Sequence, residues 1–152
     1  MSFIVADATT FPFSDRTFGG VILYGVLHHL ADPAKACREI ARVLRSRGVY
    51  FGLENHASPV RLFFDVLQNA FPIWYEKAGV KPLMTLSDFR QWFRRTGVRL
   101  DMTTCTFLPP HAVNLLPVGL ATRLVRATDA WFSGNSLTAP FGGLIVIKGV
   151  KG

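Results

Sequence analysis

Side chains able to do acid–base or ligand chemistry follow three short apolar runs in the first third of the chain. Asp7 follows the first run, His28 and His29 follow the second, and Glu54 and His56 follow the third. Adjacent histidines can bind a metal or act as a general base. These two have no carboxylate or cysteine at ligand spacing, so a packed loop histidine is favoured and no metal site is expected.

The elements that position these residues form a strand–helix–strand unit. Gly20–Tyr24 is a short run of β-forming apolar residues, typical of a strand buried on both faces. Asp32 can cap a helix that has Pro33 at its first position, and Gly48 is expected to end it in a left-handed conformation. Val49–Leu53 then predicts a second strand. The helix has one apolar stripe, formed by Ala36, Ile40, Val43 and Leu44.

Two buried strands joined by a helix indicate an α/β fold with a mainly parallel sheet. A further strand is predicted at Phe3–Ala6, followed by a loop over residues 8–15. In open α/β sheets, ligands bind beyond the carboxyl ends of the strands. We therefore expect three strand ends to face a common crevice: Asp7 with its neighbour, residues 24–29, and residues 54–56.

The remaining pattern predicts further helices and strands. A helix opened by Ser58 and Pro59 carries apolar residues at helical spacing, namely Val60, Phe63, Phe64, Leu67 and Phe71. The later elements are expected in this order: an irregular aromatic segment 73–84, a helix capped by Thr85 or Ser87 and stopped by Gly97, a strand Val98–Phe107, a proline-broken helical segment 109–132, and a last strand Leu144–Val150.

Composition fits one globular domain and narrows the range of partners. The chain has 152 residues, 49% of them hydrophobic, and a net charge of +7. Its arginines are scattered over two helices without an RNA-binding motif or a basic tail, so solvated helix faces are favoured over nucleic-acid binding. Cys37 and Cys105 lie far apart, and buried thiols in a reducing, cytoplasmic compartment are expected. No secretory signal is visible, and prolines make residues 102–122 a poor membrane span.

Residues 3–54 closely resemble the second half of the class I S-adenosylmethionine-dependent methyltransferases, especially the small-molecule branch that includes quinone-biosynthesis enzymes. The matching pattern, residues 5–48, is VADATTFPFSDRTFGGVILYGVLHHLADPAKACREIARVLRSRG. The resemblance implies a Rossmann-like methyltransferase fold with helices on both faces of the sheet. It departs from the family at Gly19, where an aspartate is usual, and at Arg47, where a proline is usual. The family's glycine-rich loop would precede Asp7 by tens of residues, so the N-terminal strands are expected to be missing and cofactor binding by this chain to be feeble or absent.

The same resemblance implies roles for six residues toward S-adenosylmethionine. The Asp7 carboxylate would accept a hydrogen bond from the adenine amino group, and the Ala8 backbone N–H would meet a ring nitrogen. The methionine side of the cofactor would be lined by Tyr24, Gly25, Val26 and His29. A solvated turn aspartate is the alternative for Asp7, and a packed loop residue is the alternative for His29.

Methyl transfer mainly requires alignment of the reacting atoms, so no catalytic residue is assigned. Three residues are conceivable bases, although a structural or solvent-facing role is favoured for each: Glu54, His56 and His111. The chain is interpreted as one incomplete methyltransferase domain, residues 1–152, with acceptor-side insertions at about 56–84 and 108–140. The aromatic residues there suggest a small hydrophobic acceptor that is quinone-like, lipid-like or polyketide-like, although most of them fit a protein core equally.

Two further interpretations stay open. An exposed edge at Gly20–Tyr24 would recruit a second copy of the chain or a complementing N-terminal half, as in a non-catalytic oligomerising or partner-binding module derived from a methyltransferase. Cationic residues beside apolar ones could also bring the surface into peripheral contact with anionic lipid, namely Lys77, Arg123 and Arg126.

Overall fold

The computed structural model describes residues 3–72 and 83–152, in which four strands form one mixed sheet. The strands are β1 (Phe18–Tyr24), β2 (Leu44–Asn55), β3 (Val98–Cys105) and β4 (Leu144–Lys151), and their order in the sheet is β1-β2-β4-β3. β1 and β2 are parallel, whereas β4 runs antiparallel to β2 and to β3. The α/β class is confirmed. The described sheet is mixed rather than mainly parallel, because β4 enters between β2 and β3 in the opposite direction.

The described residues also form five α-helices and two short 3₁₀ turns. The helices are α1 (Pro33–Val43), α2 (Pro59–Ala70), α3 (Leu86–Trp92), α4 (Pro110–Asn114) and α5 (Val118–Phe132), and the turns are Leu27–His29 and Ala139–Phe141. The helical segment predicted at 109–132 is therefore confirmed as two helices. Within the described ranges, no helix combines the length and the apolar character that a membrane crossing needs. The division into one domain with two insertions stays a prediction, and residues 73–82 of the predicted aromatic segment lie outside the described residues.

Helix α1 begins as its sequence predicts. The Asp32 side chain accepts a hydrogen bond from the backbone N–H of Lys35 at 2.8 Å, and Pro33 takes the first helical position, where no N–H partner is needed. All four residues of the predicted stripe are buried: Ala36, Ile40, Val43 and Leu44. Helix α1 thus forms the crossover connection between β1 and β2, which run parallel.

The turn after α1 differs from the prediction. The helix ends at Val43 rather than at Gly48, and the left-handed residue is Arg47, with φ +62°. Proline cannot adopt that φ, so the departure from the family's usual proline at position 47 fits this backbone. Gly48 is required for a different reason, because a Cβ there would lie 2.8 Å from the backbone oxygen of Arg45.

The prediction that Gly20–Tyr24 is buried on both faces is wrong. Val21 and Leu23 pack toward the core, but Ile22 is 78% exposed and Tyr24 is 76% exposed. Phe51, the β2 partner of Ile22, is also exposed. One face of β1 and β2 is therefore open among the described residues, while the other packs on α1.

The first residues of the described chain are not a strand, contrary to the prediction for Phe3–Ala6. They are exposed and make no strand pairing in the described residues, so nothing favours the extended pairing that a strand needs. The following loop is confirmed, and Arg42 of α1 holds it in place. Its guanidinium donates to the backbone oxygens of Phe11 (3.1 Å) and Phe13 (2.8 Å) and to Asp15 Oδ1 (2.8 Å).

Helices α2 and α3 begin at the predicted caps. Ser58 Oγ accepts from the backbone N–H of Arg61, and Thr85 forms a reciprocal capping box with Asp88. The predicted apolar stripe of α2 is buried only at Phe64, and Val60 and Leu67 are half-buried. Phe63 and Phe71 are exposed, so the predicted stripe is only partly covered.

The main core lies between the sheet and the helices α1 and α3. Tyr50 of β2 stacks on Phe93 at a centroid distance of 5.3 Å, and Phe89 is fully buried beside Trp92. Cys37 is also fully buried and unpaired, as predicted, and burial raises the pKa of its thiol to about 12. The other free thiol, on β3, is half-buried.

Candidate functional site

A buried glutamate at the end of β2 fixes the loop that follows β1. Glu54 is 1% exposed, and its Oε1 accepts hydrogen bonds from the backbone N–H groups of Val26 (2.8 Å) and Leu27 (2.7 Å). Its Oε2 lies 2.7 Å from Nδ1 of His28, which donates because a carboxylate oxygen can only accept. Three charge-assisted hydrogen bonds therefore join the carboxyl ends of the two parallel strands.

The sequence allows Glu54 to be either a general base or a structural residue, and its hydrogen bonds favour the structural role. All three bonds satisfy groups of the loop, so the side chain positions residues 26–28, in agreement with the structural role favoured from the sequence. Sequence reasoning missed which groups it holds, because they lie 26 to 28 residues away. A lone acidic residue within the apolar run VYFGLEN is the signal that could have indicated a buried, paired carboxylate.

Gly25 turns the chain at the end of β1. Its φ is +63°, and its N–H donates to the backbone oxygen of Leu53 at 2.8 Å. Glycine tolerates this left-handed conformation without a steric cost. The preceding residue, Tyr24, pairs in register with Leu53 and directs an exposed side chain from the open face of the sheet. These two predicted site residues therefore lie at the strand end where the sequence placed them.

The two histidines of the loop have different surroundings. His28 is buried against Glu54, whereas His29 is exposed, and their ring centroids are 4.2 Å apart. The backbone N–H of His29 donates to the oxygen of Val26 at 3.0 Å. The packed-loop interpretation is confirmed for His28, and the exposed imidazole of His29 is the one that solvent or a ligand can reach.

Asp7 lies in a tight turn of its own. Its Oδ1 accepts from the backbone N–H of Thr9 at 2.8 Å, and its backbone oxygen accepts from the N–H of Thr10 at 3.0 Å. The Thr9 hydrogen bonds hold the pKa of the fully exposed Asp7 carboxyl below its usual value. The adjacent Ala8 packs against the main core. The turn thus presents the ionised Asp7 carboxylate to solvent, and the packing of Ala8 against the core holds the turn in place.

His56 is a structural residue in this arrangement. It is buried, and its Nδ1 lies 2.7 Å from the backbone oxygen of Gly142, so Nδ1 carries the proton. The backbone N–H of His56 donates to the backbone oxygen of Gly143. These bonds fasten the end of β2 to the start of β4, as favoured from the sequence. Nothing is described of the His111 side chain, the third conceivable base.

The predicted cofactor residues form one bonded group and one separate turn. Tyr24, Gly25, Val26 and His29 belong to the loop that Glu54 holds, whereas Asp7 and its neighbour belong to the turn at residues 7–10. The N–H groups of Gly25 and Val26 are already bonded within the protein, so the loop offers its side chains and carbonyl oxygens. An exposed acceptor-only carboxylate and an exposed aromatic ring are groups that suit a nucleoside.

Comparison with known proteins shows a similarity to methyltransferases. Residues 1–52 match a family model described as a methyltransferase domain. A curated relative, methyltransferase GfsG of Streptomyces halstedii, is 29% identical over 167 residues, covering 99% of this chain and 56% of the relative. These matches make the chain similar to methyltransferases, with the family model covering about the first third of the chain. The chain spans about half the length of that relative.

Solved methyltransferases share the fold. An S-adenosylmethionine-dependent methyltransferase of Thermotoga maritima superposes with a TM-score of 0.63 at 15% identity, covering 97% of this chain and 62% of that protein. A methyltransferase of Haloferax volcanii, solved in a complex with the Trm112 methyltransferase activator, has a TM-score of 0.58 at 21% identity and covers 97% and 60%. At these identities the likeness concerns the fold, which is the Rossmann-like methyltransferase fold expected from the sequence.

Proposed function

We propose that this chain takes part in methyl transfer from S-adenosylmethionine to a small, hydrophobic acceptor. The observation that carries the proposal is the loop after β1, which a buried carboxylate fixes at the carboxyl ends of two parallel strands. Ligands of open α/β folds bind at such strand ends. The family supports the same cofactor, since residues 1–52 match a methyltransferase domain.

Four of the six predicted residues have a definite task in this proposal. S-adenosylmethionine supplies a methyl group already activated on a sulfonium. Asp7 would accept a hydrogen bond from the adenine amino group, with the Ala8 backbone beside the ring. The Asp7 carboxylate, whose pKa lies below its usual acidic value, is ionised and available as an acceptor at neutral pH. Tyr24 and His29 would border the methionine side with their exposed side chains.

The hydrophobic character of the acceptor is supported by the surface beyond the strand ends. Helices α2 and α5 carry exposed large apolar residues: Leu62, Phe63, Val66, Val118, Leu120, Leu124 and Trp131. Apolar residues at the mouth of a site suit a poorly soluble, carbon-rich molecule. No residue is assigned as a base, because the transfer depends mainly on orientation.

Equilibrium binding of S-adenosylhomocysteine tests the proposal. We expect weak binding to the 152-residue chain, and we expect Asp7→Asn to weaken it by about tenfold, since the variant replaces a charged acceptor of one hydrogen bond. Asp101→Asn, at an exposed carboxylate on β3, is the matched control and should leave the affinity unchanged. Equal affinity of both variants and the wild type would remove Asp7 from the site.

A second candidate, a non-catalytic oligomerising module, is favoured by one observation. The open sheet face exposes Ile22, Tyr24 and Phe51, and exposed apolar sheet surfaces and strand edges recruit partners. Light scattering over a range of protein concentrations separates the two. A dimer that Phe51→Ser dissociates would support the module, and a monomer at every concentration would exclude self-association.

A further inference from the structure

We propose that a cavity between α2 and the ends of β3 and β4 binds a ring-sized apolar group that bears an oxygen, with Arg61 donating to that oxygen. The inference rests on the proposed function, because it assigns this cavity to the methyl acceptor. It narrows the acceptor from a hydrophobic molecule to one with a hydroxyl, carbonyl or carboxylate oxygen on or next to a ring.

The size of the cavity sets the class of group that it admits. Its volume is about 190 Å³, and its lining consists of Asn55, Val60, Arg61, Phe64, Thr106, Leu108, Gly143 and Leu144. An engineered apolar cavity of about 150 Å³ takes up benzene. A single six-membered ring therefore fits here, whereas a fused polycyclic system would have to extend outside. The lining is mainly aliphatic and aromatic, which favours the apolar part of a ligand over an ion.

Arg61 is held in a fixed orientation at this cavity. Its Nε donates to Asp65 Oδ1 at 2.8 Å, and one terminal nitrogen donates to Asn55 Oδ1 at 3.3 Å. Its Cζ lies 4.9 Å from the ring centroid of the buried Phe64, a cation–π distance. These contacts restrain the guanidinium before any ligand binds, which lowers the entropy cost of binding.

The guanidinium keeps donors for a ligand. Within the described residues, the hydrogen bonds of Arg61 use two of its five N–H groups. Its side chain is 22% exposed, so the remaining donors are partly removed from water. Asp65 already balances the charge of Arg61, which favours a neutral oxygen or a single negative charge over a polyanion such as a phosphate.

The cavity lies on the same face of the sheet as the Tyr24 side chain, one of the proposed cofactor residues. Asn55 is two residues beyond Leu53 on β2, so both side chains point to one face, and Leu53 pairs in register with Tyr24. Two residues along a strand span about 6.6 Å. A ring in the cavity would thus lie about two residues further along the sheet, and one strand across, from Tyr24, which is proposed to border the methionine side.

Methyl NMR with two matched probes tests the inference on the chain itself, without cofactor. The probes are p-cresol and toluene, which differ by one hydroxyl. We expect both to shift the methyl signals of Val60, Leu108 and Leu144, and p-cresol to bind about tenfold more tightly, the ratio expected for one hydrogen bond to a charged group. Arg61→Leu should abolish that preference and retain toluene binding, which also shows that the variant is folded.

Two control variants and one comparison make the outcomes distinct. Arg38→Leu, an exposed arginine on α1, should leave the preference intact, and Leu108→Trp should block both probes by filling the cavity. Shifts that map elsewhere, or a cresol preference that survives Arg61→Leu, would overturn the inference. S-adenosylhomocysteine binding without probe binding would refute this cavity alone, whereas probe binding without S-adenosylhomocysteine binding would refute the proposed function.

Discussion

Removing the carboxylate of Glu54 should release the loop after β1 and destabilise the fold. The side chain accepts bonds of 2.7–2.8 Å from Val26, Leu27 and His28 and is 1% exposed. Deleting one partner of a buried ionic group costs roughly 3–5 kcal/mol, because the other polar groups stay buried without a partner. We expect Glu54→Ala to lose about that much of the free energy of unfolding, a large share of the roughly 5–15 kcal/mol typical of a domain.

Glu54→Gln is the graded version of the same perturbation. Its amide oxygen can still accept from the two backbone N–H groups, but its NH₂ group faces Nδ1 of His28 and forces the other tautomer. The expected loss is about 1–2 kcal/mol, corresponding to the weakened charge-assisted bonds. Urea denaturation followed by tryptophan fluorescence measures both losses, and amide hydrogen exchange at Val26 and Leu27 shows whether the loop opens first.

Asp101→Asn is the control for these measurements, since Asp101 is an exposed carboxylate on β3. It should change the free energy of unfolding by no more than about 0.5 kcal/mol. The reasoning would be refuted if Glu54→Ala were as stable as Asp101→Asn, or if exchange at Val26 and Leu27 were unchanged in the glutamine variant.

Four further substitutions test three separate parts of the structure. Tyr50→Phe should raise the free energy of unfolding by about 1 kcal/mol, because the buried Tyr50 hydroxyl has no hydrogen-bond partner among the described residues; a loss on urea denaturation would mean that the hydroxyl is bonded. Arg42→Met should speed trypsin cleavage at the exposed Arg16 several-fold, because Arg42 holds the 8–15 loop; an unchanged cleavage rate would count against that role. Arg47→Gly should stabilise the chain by about 1 kcal/mol, because glycine adopts the left-handed conformation of residue 47 without strain. Gly48→Ala should destabilise it, because the added Cβ would lie 2.8 Å from a backbone oxygen. The opposite order of denaturation midpoints would instead support the sequence-based prediction that Gly48 is the left-handed residue.

Local signals predicted the helices well. Asp32 with Pro33, and Ser58 with Pro59, start α1 and α2 because capping depends on residues within one turn. The buried stripe of α1 was predictable for the same reason, since helical spacing alone decides which side chains share a face.

Features that depend on distant partners could not be predicted. Phe3–Ala6 has strand composition but lacks a strand to pair with, and exposure of Ile22 depends on what lies against the open face. The antiparallel direction of β4 depends on its pairing with β2 and β3, which no local pattern reveals. In the site, the loop residues were identified by resemblance to a family, whereas the anchoring bonds from Glu54 came only from the fold.

The most direct test of the central claim is an amide NMR titration of the 152-residue chain with S-adenosylhomocysteine. If the loop after β1 and the turn at residues 7–10 border one nucleoside site, the shifts should concentrate at Asp7, Ala8, Gly25, Val26 and His29 and grow with ligand concentration, even when binding is weak. Absence of shifts at these amides up to the solubility limit of the ligand, or shifts confined to another surface, would contradict it.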